Sequence, residues 1–216
     1  MGGDGGDLIG GADGPPGRPS ATPGPSPRTT CGDAGAAGGY GDAVSADKSS
    51  LISDEERERL TAERDRIREE FLFSREHRPA STGKGIHHTA LICRDVRTTV
   101  EWYQNVAGFP VTVLFENRDL AGSTHFFFDV GNGNCLAFFD LPGVDPGPYD
   151  EVRGGLHHLA ISVPGTQWYG IKHRLDERGI EYMLESDVSI YTRDPDGARI
   201  EFIQDPLGEM YGEDTV

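Results

Sequence analysis

Apolar and polar positions alternate in two short runs that mirror one another, Gly85-Ile86-His87-His88-Thr89-Ala90-Leu91-Ile92-Cys93 and Gly155-Leu156-His157-His158-Leu159-Ala160-Ile161-Ser162-Val163. Each is short, rich in branched aliphatics and opened by glycine, so each predicts a β-strand. Alternate side chains of a strand share a face. His88, Ala90 and Ile92 therefore line one side, and His158, Ala160 and Ser162 the equivalent side of the second copy. One imidazole followed by small residues leaves room for a ligand. The opposite faces, Leu91 with Cys93 and Leu159 with Ile161 and Val163, suit packing against helices.

The remaining pattern extends this plan. Ser53 followed by Glu56 reads as a capping box. It opens a charge-rich helix to about residue 75, with a thin stripe of Leu60, Ile67 and Phe71 and a supporting pair at Glu55 and Arg59. Pro79 to Gly83 resets the chain. Asp95 caps a helix through Val96, Val100, Tyr103 and Val106 that Gly108 stops. Strands follow at Phe109–Phe115, His125–Val130 and Cys135–Asp140, with Asn132-Gly133-Asn134 as a hairpin turn. Asp145 to Gly154 is a Pro/Gly linker. A second helix carries Trp168, Ile171 and Leu175 and ends at Gly179. Strands at Ile180–Glu185, Val188–Arg193 and Ala198–Gln204 complete the pattern, the last two joined by Asp194-Pro195-Asp196-Gly197.

The two halves align as an internal repeat. His158 follows His88 by 70 positions, whereas Gly197, Glu201 and Pro206 follow Gly133, Ala137 and Pro142 by 64. The second copy is thus about six residues shorter in its middle. The expectation is an α+β fold of two tandem βαβββ modules, about 85–143 and 154–208, within a domain at 83–216. A helix and linker at 51–82 precede it. The modules are expected to close on one another around a shared cleft.

Composition changes the picture only at the start of the chain. Residues 1–50 are rich in Gly, Pro, Ala and Ser and predict a disordered tail. The tail lacks a basic start followed by an apolar run, so no secretory signal is expected. No stretch of about 18 apolar residues occurs, so no membrane span is expected. The net charge of −16 argues against nucleic acid and anionic lipid as partners. Three cysteines, Cys31, Cys93 and Cys135, lie at spacings unlike metal sites and read as thiols in a reducing cytoplasm.

His88-Thr-Ala-Leu-Ile-Cys-Arg-Asp95, Trp102-Tyr103 before Gly108-Phe109, His158-Leu-Ala-Ile and Tyr191-Thr-Arg-Asp-Pro-Asp-Gly-Ala-Arg-Ile-Glu201 carry a resemblance. From about Gly85 to Gly208 the chain resembles the vicinal oxygen chelate superfamily. That group includes glyoxalase I, methylmalonyl-CoA epimerase, bleomycin-resistance proteins, fosfomycin-resistance enzymes and extradiol dioxygenases. The resemblance implies a glyoxalase/dioxygenase-type open barrel and a homodimer. It also implies metal ligands on the first and last strands of each module, here at His88, Ala137, His158 and Glu201. The family's spacing to the helix start prefers His88 to His87 and His158 to His157.

Three of those four positions can bind a metal and Ala137 cannot. Two His and one carboxylate with open positions is the pattern of non-haem Fe(II) oxygenases, because O2 and a chelating substrate need adjacent vacant sites. The resemblance therefore implies an Fe(II)-dependent extradiol-type dioxygenase with a small catechol-like substrate; Mn, Zn or Ni are the other candidate metals. Tyr191, ten residues before Glu201, stands where extradiol enzymes place a tyrosine that hydrogen-bonds substrate. Their usual acid–base histidine is replaced here by Gly133 and Asn134. A second histidine is replaced around Tyr182, Met183 and Leu184, leaving His125 as a stand-in. Two alternatives stay open. One is a glyoxalase- or fosfomycin-type isomerase, lyase or transferase using a non-redox metal; the other is a small-molecule-binding resistance protein.

Overall fold

Ser53 precedes the first described element in this computed structural model, which describes residues 52–216; the expected disordered tail and Cys31 lie outside the described residues. Its hydroxyl accepts from the Glu56 amide at 3.1 Å and caps α1 (Asp54–Phe71). Arg59 reaches back to Glu56 at 2.7 Å, so an i,i+3 pair replaces the expected partnership with Glu55. The helix buries no residue, and Leu60, Ile67 and Phe71 stay exposed along it.

The first module runs β1 (His88–Cys93), α2 (Val96–Trp102), a π-helical turn (Tyr103–Ala107), β2 (Val111–Glu116), β3 (Thr124–Asp129) and β4 (Cys135–Asp140). Asp95 caps α2 by accepting from the Thr98 amide at 2.7 Å. The π-turn ends at Gly108, whose φ of 85° lies in the left-handed region that glycine tolerates. The sheet order is β1-β4-β3-β2, with β1 parallel to β4 and the other pairs antiparallel. A parallel pair needs a long crossover, which the helix and two strands between β1 and β4 supply. Asn132 and Gly133 both take positive φ, 52° and 73°, as a primed hairpin turn requires.

The second module repeats the plan: β5 (Leu159–Ser162), α3 (Gly165–Arg178), β6 (Tyr182–Glu185), β7 (Ser189–Arg193) and β8 (Arg199–Ile203), in sheet order β5-β8-β7-β6. The registers show the repeat directly. Ala90 faces Ala137 in one module and Ala160 faces Glu201 in the other; Phe127 faces Ala137 as Tyr191 faces Glu201. These pairs reproduce the offsets of 70 and 64. A short hairpin of β9 (Glu209–Met210) and β10 (Glu213–Asp214) closes the chain, and Asp214 pairs with Arg75 at 3.3 Å.

One core serves both modules. Tyr103, Phe126, Phe128 and Phe138 are fully buried in the first, and Ile171, Leu175, Ile190, Ile200 and Phe202 in the second. Burial of each large apolar side chain contributes on the order of 1.5–3 kcal/mol. The modules meet through their helices and the Asp194–Gly197 turn. Tyr103 Oη donates to Asp194 Oδ2 at 3.0 Å, the Arg94 amide donates to Asp196, and Arg174 Nε donates to the Val106 carbonyl at 2.7 Å.

The other sheet faces are left open within one chain. His88, Ala90, Ile92, Val113 and Phe115 on the first module, and Ala160 and Met183 on the second, are all exposed. The shared core lies on the helix side of both sheets. The faces expected to line a cleft are thus formed and presented, but they do not cover each other inside the chain. No helix among the described residues is long and apolar enough to cross a membrane.

Candidate metal centre

Glu201 sits mid-strand in β8, where alternation sends Ile200 and Phe202 into the core and its own carboxylate to the opposite face. It is only 3% exposed. A buried carboxylate needs partners, because an unpaired charge in an apolar setting is costly. Ser189 Oγ donates to Oε1 at 2.6 Å, and His158 Nε2 lies 3.1 Å from Oε2. His158 stands one residue before β5, so the chain delivers its imidazole at the strand entrance rather than within the strand.

Tyr191 faces Glu201 across the β7–β8 register, and its ring packs edge-on to His158 with centroids 5.7 Å apart. Burial first, then the hydrogen bond and charge of Glu201, push its phenol well above the ordinary value of 10. It therefore remains a hydrogen-bond donor at neutral pH. A cavity of about 530 Å³ opens beside it, lined by Met183, Tyr191, Arg193 and Arg199 among others.

The first module presents a different surface at the corresponding positions. Ala137 is fully buried and offers no donor. His125 occupies the position of Ser189, since it faces Phe139 as Ser189 faces Ile203. Its ring stacks on Phe139 with centroids 3.8 Å apart and lies 4.4 Å from Phe127 and 5.2 Å from Phe115. Its Nε2 is buried without a hydrogen-bond partner among the described residues. Burial, and secondarily His88, hold its pKa below 6.5, which favours the neutral imidazole. His88 is exposed on the same sheet face, its Nδ1 2.9 Å from Nδ1 of His87 and its ring 5.9 Å from Phe127.

The chain therefore brings two of the three expected ligands together, His158 and Glu201, and keeps His88 on the other sheet. Among the described residues no three His, Cys, Asp or Glu side chains gather around one point. Tyr191 joins the His158–Glu201 pair, whereas His125 joins His88. Ser189 was not anticipated, although it shares the Tyr191 face two positions earlier and strand alternation could have found it. Glu151 and Arg199, which surround His157, were also missed: Arg199 Nη2 lies 2.6 Å from Glu151 Oε1, and Glu151 sits in the linker, where no periodic signal exists. Of the cysteines, Cys93 is buried and its thiol is pushed up to about 12 by that burial, which makes it unreactive.

The family model of the Glyoxalase/Bleomycin resistance protein/Dioxygenase superfamily matches residues 85–202, more than half of the chain. The chain belongs to that superfamily. Relatives of this glyoxalase/dioxygenase group include MhqE of Bacillus subtilis, provisionally named a ring-cleaving dioxygenase. It is 28% identical over 100 residues, which cover 45% of this chain and 32% of that protein. The chain thus matches about a third of MhqE. "Uncharacterized protein YwkD" of the same organism is 32% identical over 126 residues, covering 57% of this chain and 90% of its own length. A glyoxylase/bleomycin resistance protein/dioxygenase domain from Frankia sp. superposes with a TM-score of 0.51 at 22% identity. It covers 59% of this chain and 96% of that one, a likeness of fold.

Proposed function

We propose that the protein is an Fe(II)-dependent, extradiol-type dioxygenase acting on a small, chelating, catechol-like substrate, and that it works as a homodimer. In this reading the ion is held by His158 and Glu201 of one chain together with His88 of a second copy. The observation that carries it is the 3.1 Å approach of His158 Nε2 to Glu201 Oε2 on a sheet face left open to solvent. An imidazole and a carboxylate this close, both aimed off the same face, fit two ligands of one divalent ion. The exposed His88 face of the first module has the complementary features: a third imidazole and no competing carboxylate at Ala137. A two-fold dimer would set each first module against the partner's second module, producing two equivalent sites.

A divalent metal held by these residues would supply Lewis-acid chemistry and, as Fe(II), redox chemistry with O2. Side chains of the two copies do the rest: Ser189 and Tyr191 come with His158 and Glu201, and His125 and the phenylalanines with His88. Ser189 donates to Glu201 Oε1 and orients the carboxylate that would hold the ion. Tyr191, kept protonated, donates to a substrate oxygen as negative charge develops there. His125, neutral and with Nε2 unpartnered, takes a proton from a substrate hydroxyl. Phe115, Phe127 and Phe139 provide a flat apolar wall against which an aromatic ring can lie.

Oxygen uptake is the test. Protein loaded with Fe(II) should consume O2 with members of a catechol panel, and protein loaded with Zn or Ni should not. No uptake across the panel would remove the dioxygenase reading. Anaerobic turnover with a non-redox metal would move the assignment to the isomerase, lyase or transferase class.

A further inference from the structure

The cavity beside Tyr191 has a charged end that the ring-cleavage reading does not use. Side chains two positions apart on a strand share a face, so Arg193 and Arg199 stand on the same open face as Tyr191 and Glu201, about 7 Å farther along β7 and β8. The two arginines face each other directly across the β7–β8 register, and both line the cavity of about 530 Å³. Small-ligand sites occupy about 300–1,000 Å³, so a single substituted ring has room. Met183, which faces Tyr191 across β6 and β7, gives that ring an apolar wall.

Like charges directly opposite one another on a sheet face are destabilising. The fold does not require this pair: by the offset of 64 the first module has Asp129 and Cys135 at the same positions, facing each other across β3 and β4. Glu151 offsets one arginine of the two. It is ion-paired to Arg199 at 2.6 Å, and with side chains 6% and 15% exposed the two hold each other in place. Arg193 is exposed and pairs with no carboxylate among the described residues. Its Nη1 donates to the Gly197 carbonyl at 2.8 Å, which fixes the guanidinium and leaves its Nε–Nη2 edge open. That edge presents two parallel N–H donors, the geometry a carboxylate accepts with both of its oxygens. One acid opposes the field, Glu181, exposed on the β6 side of the same cavity. Its charge favours a monoanion over a dianion such as a phosphate.

We propose that the substrate carries a carboxylate on the side of its ring away from the chelating oxygens, and that Arg193 binds this group, with Arg199, held by Glu151, as the second cation of the subsite. The inference deepens the dioxygenase reading and rests on it for the catechol half of the ligand.

The test is isothermal titration calorimetry on the full chain with saturating Zn(II), comparing 3,4-dihydroxyphenylacetate with its uncharged methyl ester. The acid should bind about tenfold or more tighter than the ester, the scale of a charge-assisted contact. Arg193→Gln should weaken the acid about tenfold and leave the ester within about twofold. Glu181→Gln should tighten the acid about two- to fivefold and leave the ester as it is, because an opposing exposed charge is removed. The absence of a preference for the acid overturns the subsite, as does an Arg193→Gln variant that weakens both ligands alike. A preference for the cationic 3,4-dihydroxyphenethylamine also overturns it and assigns the cavity to Glu181. Oxygen uptake separates this outcome from that of the dioxygenase reading. An Arg193-dependent preference without O2 uptake by the Fe(II)-loaded protein keeps the subsite and removes the dioxygenase; O2 uptake without the preference does the reverse.

Discussion

Ala137 and Glu201 occupy the same place in the two modules: each lies on its module's last sheet strand, opposite an alanine of the first strand and an aromatic residue of the neighbouring one. The repeat thus offers a carboxylate once and a methyl group once. This asymmetry should have a chemical consequence. Ala137→Glu should restore a fourth donor, keep or tighten metal binding, and reduce O2-dependent turnover at least about a hundredfold by filling a position that O2 or substrate needs. Metal content and oxygen uptake measured on one preparation check both parts.

Tyr191→Phe removes a donor without changing the ring that packs against His158. Metal content should stay at the wild-type level while kcat falls about 10–100-fold, somewhat below the loss typical of a dedicated oxyanion donor. Loss of metal in this variant would assign the phenol to structure instead.

His125→Phe should preserve stacking with Phe139 and Phe127 and so preserve stability. If His125 takes the substrate proton, kcat should drop about 10²–10⁴-fold with little change in metal retention. An active variant would mean that the proton leaves by another route.

The turn that joins the modules predicts a pH effect on stability. Burial first pushes the Asp194 carboxyl above its ordinary 3.8, against the hydrogen bonds from Tyr103 and the turn amides that lower it. A raised carboxyl means that the folded state binds the proton more readily than the unfolded chain. Its stability contribution is then full below 3.8 and lost as pH rises through the folded value. Wild type should therefore lose Tm relative to Asp194→Asn as pH rises above 3.8, in matched thermal melts. Tyr103→Phe, which leaves Asp194 Oδ2 short of a buried donor, should cost about 1–3 kcal/mol at neutral pH.

Much of this architecture was legible in the sequence because strands and turns announce themselves locally. Asn132-Gly133 gave the hairpin, Gly108 and Gly179 gave helix ends, and the offsets of 70 and 64 gave the register of the repeat. The relation between the modules was not legible. Which sheet face meets which depends on contacts such as Tyr103 with Asp194, 91 positions apart, that leave no periodic trace. The same limit explains why three ligands were expected at one point while the chain assembles two. Residue type and resemblance single out His88, His158 and Glu201, and neither carries information on whether a site closes within a chain or between copies. Glu151 was invisible for a further reason: a glutamate in a Pro/Gly linker looks solvated until the fold buries it.

An ion shared between copies can be detected by subunit complementation. His88→Ala and Glu201→Ala chains should each retain no metal alone. Co-refolded in equal amounts, half of the dimers combine one chain of each kind, and each such dimer has one intact site of two, so about a quarter of the wild-type metal content should return. No metal regained in the mixture, with both variants folded and dimeric, would mean that the ion is not shared between copies.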